Sequence, residues 1–256
     1  MTEVAGVHLL QRVDALDGPL RSAVARLDGD GTLLALDLAR GDEEILSLLE
    51  GVARLTVDAP LVAPRRTGRR DAEAVLAWCD VPAFPVARDR LVAVTGGMRG
   101  VDLAAALAAG RAVAEALPDQ VLRQIAWERA HPPDAPPLDL ADYRAAWPAV
   151  RAPAYRPRGA GRGRASGLLP AWDLLAGVLD LGGWAPDPAD AAAVADDAAR
   201  LDALCCGYAA LRAEAGTAVM LGTPAAGLLA VPADANLRAR IELTLWRLRS
   251  EGTIAI

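Results

Sequence analysis

Three short apolar runs precede anything that reads as a helix, and this order is what most limits the fold of the chain. VAGVHLL at 4–10, LRSAVARLD at 20–28 and TLLALDLAR at 32–40 read as strands. DGDG at 28–31 accepts positive φ and predicts a hairpin between the second and third. Asp42 then opens a helix, DEEILSLLEGV, with its acids in the first turn where the helix dipole favours them. RLTVDAPL at 54–61 returns to a strand whose apolar neighbours suit a central place in a sheet. Helices are expected over 71–79 and 101–110, the second stopped by Gly110. RAVAEAL at 111–117 favours helix by propensity, but Gly110 before it and Pro118 after it predict a further strand.

The second half is less regular. HPPDAPPLDL at 131–140 is a proline-rich connector, and 151–167 is a basic, Gly/Pro-rich loop expected to be mobile. A helix is expected over 168–180. Asp187-Pro188 offers a cap and a first-turn proline for a long helix running to about Gly216. GLLAVP at 227–232 reads as a short strand or extended piece, and a last helix follows over 234–250. Strands 1 to 3 suit an antiparallel meander, and the later strand–helix–strand units suit parallel pairing through right-handed crossovers.

Composition excludes several classes. No apolar run approaches the ~18 residues needed to span a bilayer. MTEVAGVHLLQRVD has no basic region ahead of its apolar run, which predicts no signal peptide and a cytoplasmic protein. Three cysteines without C-x-x-C spacing fit a reducing compartment and buried apolar roles. Every basic residue is arginine, so an individual arginine carries little information. A net charge of −6 means that nucleic acid, if it is a partner, must be held by a local basic patch. No nucleophile elbow, P-loop or H-E-x-x-H motif is present.

The element order is that of the ribonuclease-H-like fold, and the expected architecture is α/β with a mixed five-stranded sheet flanked by helices. One domain over 1–256 is expected, with an irregular insert around 131–167. Ordered motifs narrow this further: TVDAPLVAP (56–64), TGRRDAE (67–73), GGMRGVDLAAAL (96–107), AVAEALP (112–118), LDALCCGYAAL (201–211) and LGTPAAGLLAVP (221–232). The set resembles the bacterial and archaeal family catalogued as domain of unknown function 429. That family is predicted from its fold to contain metal-dependent nucleases. The resemblance implies that the first and fourth strands lie side by side and that acids from both, with one from a late helix, converge at one sheet edge. There they would hold Mg²⁺ or Mn²⁺ against a phosphodiester.

On this chain the resemblance points to Asp58 on the fourth strand and Asp202 on the late helix as metal ligands, with Glu115 as a further catalytic acid. Asp58 also fits a turn residue capping backbone N–H groups. Asp202 also fits a surface acid, although Ala198, Cys205, Cys206 and Ala209 on the same face are small enough for close packing. The departure is His8, in Gly6-Val7-His8, where the family has an acid. An imidazole cannot bridge two ions and favours Zn²⁺ or Mn²⁺ over Mg²⁺. His8 is therefore either a ligand for such an ion or a histidine with only structural hydrogen bonds. Asp14 or Asp17 is an alternative source of the missing carboxylate. Arg65, Arg66 and Arg69 stand directly after the fourth strand and are candidate phosphate contacts. The expected function is a metal-dependent nuclease or phosphodiesterase. The alternative is an inactive member that binds nucleic acid or protein.

Overall fold

The computed structural model describes residues 2–11, 21–132, 138–156 and 165–255. Asp14 and Asp17 lie outside them, as do Arg158, Arg162 and Arg164 of the basic loop. Strands β1 (Val4–His8), β2 (Ser22–Leu27) and β3 (Leu33–Ala39) come first, then α1 (Asp42–Leu48) and β4 (Arg54–Val57). Helices α2 (Asp71–Trp78), α3 (Arg88–Thr95) and α4 (Arg99–Leu107) lead to β5 (Ala112–Glu115) and α5 (Pro118–Ala130). There follow α6 (Leu140–Ala146), α7 (Leu168–Ala176), α8 (Val194–Glu214), β6 (Ala218–Thr223), β7 (Gly227–Pro232) and α9 (Ala235–Ser250). No helix among the described residues is long and apolar enough to cross a membrane.

The fold is mixed α/β, and its sheet has seven strands in the order β3-β2-β1-β4-β5-β7-β6. Five were expected. The extra strands are β7, which reaches β5 through the Glu115–Leu229 pair, and β6, which pairs antiparallel with β7. Sequence reading passes over β6 because AVMLGT is a half-exposed edge strand with no clean alternation. The expected meander is present: β1–β2 and β2–β3 are antiparallel, while β1–β4 and β4–β5 are parallel. As expected, β1 lies directly beside β4.

Strand parity sorts the core into two layers. Ala5, Val7, Leu55 and Val57 face α1 and α4, where Ile45, Leu49, Leu103 and Leu107 complete a buried cluster. Val4 faces the other way, into a second cluster built by α5, α7 and α8. Gly6, Thr56 and the strand-end residues His8 and Asp58 share that second face by alternation. Helix α8 crosses it at very short range. A Cβ at Gly6 would lie 2.0 Å from the Gly207 nitrogen and 2.1 Å from the Ala203 oxygen, so only glycine permits this contact. Thr56 Oγ1 adds a buried hydrogen bond of 2.6 Å to the Cys206 carbonyl. Strand and helix are thus joined backbone to backbone beneath the sheet edge.

Two local expectations differ from the structure. Asp187-Pro188 does not open the long helix: Ala193 is its N-cap residue and Val194 its first residue. Asp187 and Asp190 instead accept from the amides of Ala189 and Ala192, the short-range bonds by which aspartate favours turns over helix. Pro118 does more than end β5, since it is the first residue of α5, a helix the sequence reading did not anticipate.

Candidate metal centre

Three segments bring one histidine and two acids together. His8 ends β1, and Asp58 directly follows β4, where its amide extends the ladder to the Val7 carbonyl at 3.1 Å. The Val7–Val57 register therefore places residues 8 and 58 side by side on the α8 face. Asp202 projects from α8 one turn before Cys206, where Thr56 holds the helix. His8 Nδ1 lies 2.6 Å from Asp58 Oδ2 and 3.3 Å from Asp202 Oδ2. One ligand atom from each residue lies within 4.8 Å of the others, a grouping able to hold a single metal ion. The acids are almost fully buried, and the His8 side chain, 22% exposed, is the open side of the group.

The other oxygen of each acid also has partners. Asp58 Oδ1 accepts from the Leu9 amide at 2.9 Å. Asp202 Oδ1 accepts from the Tyr155 hydroxyl and from Arg156 Nε at 2.8 Å. Arg156 Nη2, 2.6 Å from the same oxygen, is out of line for a hydrogen bond. Two carboxylates are thus faced by one imidazole and one guanidinium.

This setting shifts each group. Burial pushes His8 toward the neutral form, but the charge and hydrogen bond of Asp58, with the charge of Asp202, hold its pKa above the ordinary value despite Arg156. Burial works to raise Asp58, yet His8, Arg156 and the Leu9 amide keep it below the usual carboxylate range. Burial wins at Asp202, which stays above that range against the pull of Arg156 and His8. The two carboxylates thus favour the protonated imidazole against the pull of burial. A histidine whose folded pKa is raised contributes stability that is full below its unfolded value of about 6.5 and is lost as pH rises through the folded value. In metal-free protein His8 is expected to titrate above 6.5 by NMR, and His8→Gln should remove that part of the pH dependence of unfolding. Titration of His8 at or below the ordinary value would overturn the assignment.

The other sequence candidates lie elsewhere. Glu115 is in register with Val57, so it points to the face opposite His8 and Asp58. Both its oxygens accept from Arg70, at 2.7 and 2.6 Å, and one also accepts from the Leu61 amide. Arg65 pairs with Asp71 and Arg66 with Asp89, while Arg69 is exposed. Sequence reasoning missed Tyr155 and took Arg156, with the other arginines of its loop, as solvated charge. The only available signal was an aromatic beside an arginine between prolines, in a loop where arginines are common.

Fold and site together define a mixed α/β protein with a buried His–Asp–Asp group at the ends of two parallel central strands. Comparison of the chain with protein-family models, curated proteins and solved structures finds no match in any of the three.

Proposed function

We propose that this protein is a single-metal phosphodiesterase of ribonuclease-H-like descent, acting on nucleic acid and related to the domain of unknown function 429 family. One observation carries the reading: three potential ligands far apart in sequence converge at the ends of β1 and β4. The parallel pairing of β1 with β4 supports it, because the resemblance implies that the first and fourth strands lie side by side.

The donor set fits one ion. Two metals about 3.5–4 Å apart need a bridging carboxylate, and His8 has one nitrogen to offer at that place. An imidazole nitrogen with two carboxylate oxygens suits Mn²⁺ or Zn²⁺ better than Mg²⁺. A bound ion would supply Lewis acidity toward a phosphate oxygen and a more acidic water. To accept an ion His8 must first lose its proton, so binding should strengthen as pH rises and should release a proton. Asp58 is held by the Leu9 amide throughout. Arg156, with Nη2 unaligned beside Asp202, can turn toward a phosphate oxygen while Tyr155 keeps Asp202 in place.

A second reading has its own observation. His8 and Arg156 already balance both carboxylates, which suits an inactive member that binds nucleic acid or protein without a metal. Calorimetric titration separates the two. The metal reading expects Mn²⁺ or Zn²⁺ to bind more tightly than Mg²⁺, Asp58→Asn to abolish binding, and His8→Asp to raise Mg²⁺ affinity at least about tenfold by restoring a bridging oxygen. Cleavage of a mixed DNA and RNA panel with Mn²⁺ should follow the same variants. No binding of any of these ions above pH 7 would leave the second reading.

A further inference from the structure

A cavity of about 740 Å³ is lined by Arg69, Arg123 and Arg151 together with Asp80 and Asp119. Arg123, on α5, is 5% exposed. Its Nη1 and Nη2 donate to the backbone carbonyls of Asp80 and Trp147, and its guanidinium lies 4.0 Å over the Trp147 ring. Those partners orient the group but do not neutralise it. Its Nε is buried with no hydrogen-bond partner. Burial, with the charge of Arg151, pulls its pKa down to about 10. Among the described residues no carboxylate pairs with Arg69, Arg123 or Arg151. Of the two acids in the lining, Asp80 is already taken by Arg240. The wall therefore carries surplus positive charge around a buried, incompletely bonded guanidinium. A purely structural role, clamping two carbonyls, accounts for Nη1 and Nη2. It accounts neither for the orphan Nε nor for two further unpaired arginines on the same wall.

We propose that this cavity is a binding site for a phosphate-type oxyanion, held by Arg69 and Arg151 with the buried charge of Arg123 behind them. Guanidinium groups suit such a ligand because their planar donor forks match its oxygens. The source is either a nucleic-acid strand or a small phosphorylated molecule. The strand is the natural extension of the proposed function and rests on it. Residues 151–154 line the cavity, and the next two, Tyr155 and Arg156, reach Asp202. A strand with one phosphate at the metal centre would thus pass another along this wall. The oxyanion site itself needs no metal.

The test is calorimetry on the full chain in chelator, with inorganic pyrophosphate and a 5′-phosphorylated oligothymidylate series as probes. Arg69→Ala and Arg151→Ala, both at exposed positions, should each weaken binding roughly tenfold, the effect of one lost charge-assisted hydrogen bond. Arg247→Ala, an exposed arginine on α9, should leave it unchanged. Oligonucleotide affinity that grows with length and falls in the two variants supports the site and assigns a strand. Pyrophosphate binding with the same arginine dependence and no gain from length supports the site and assigns a small ligand. Absence of binding for both probes overturns the proposal. So does equal weakening by Arg247→Ala, which would mean unspecific charge attraction. Because chelator is present, a failed metal titration leaves this result standing, and loss of the oxyanion site leaves the metal titration standing.

Discussion

Gly6→Ala is expected to lower stability by at least about 3 kcal/mol, the upper end for a forced overpacking, and to lower the melting temperature by roughly 6 °C or more. The added methyl would meet main-chain atoms of Ala203, Cys206 and Gly207 at 2.0 to 2.6 Å, and none of these can rotate away. Either α8 lifts from the sheet or β1 distorts, and both break the layer that holds Asp202 over the strand ends. Gly207→Ala, across the same contact, is the control. Its methyl would meet Leu27 Cδ1 at 3.0 Å, the end of a side chain that can turn. A helix interior also gains about 1 kcal/mol when alanine replaces glycine, so that variant should stay within about 1 kcal/mol of the parent. Thermal and urea unfolding measure both. A Gly6→Ala protein melting within 2 °C of the parent, taking about 2 °C as less than a 1 kcal/mol change, would show that the close approach is not required.

Arg70→Met is expected to cost about 3–5 kcal/mol, because it strands two buried carboxylates. Arg70 is 2% exposed and donates to Glu73, to both oxygens of Glu115 and to the Val62 carbonyl. Burial already holds Glu115 above the usual carboxylate range, and the hydrogen bonds and charge of Arg70 are the main restraint on a larger rise. Without Arg70 the folded pKa of Glu115 rises further, while the unfolded value stays near 4.3. A carboxyl with a raised folded pKa loses stability as pH increases from the unfolded value through the folded one. The deficit of Arg70→Met relative to the parent should therefore widen between pH 5 and pH 8, and adding Glu115→Gln should recover part of it. Equal deficits at both pH values would mean that solvent reaches the carboxylates once the arginine is gone.

The first five strands were legible because each is a short run rich in apolar residues, four of them closed by Gly, Pro or Asp, and a buried parallel strand such as RLTV leaves that trace. Asp58 and Asp202 were legible as an acid ending a strand and an acid on a small-residue helix face. Their convergence was expected from the family resemblance alone, since nothing in the residues themselves places the late helix over the ends of β1 and β4. Glu115 looked equivalent to Asp58, since both precede a proline within a few residues. Only the register separates them, because one residue of offset along neighbouring strands turns a side chain to the other face. Arg70 and Arg123 could not be told from the many solvated arginines, because burial depends on what packs over them and not on their neighbours in sequence. Helix α5 was overlooked for a related reason. PDQVLRQIAWERA buries Gln120, Arg123 and Gln124 among its apolar residues, so its polar positions blur the stripe that marks an amphipathic helix.

Helix α8 rests on β1 at Gly6 and Gly207 with no side chain between them, so the gap from Asp202 to the strand ends is a fixed gauge. It equals the thickness of two bare main chains. Apolar exchanges on the faces of α8 turned away from β1 can change how tightly the protein holds together without entering that contact. An exchange at position 8, 58 or 202 would trade one side chain for another inside a frame of unchanged dimensions.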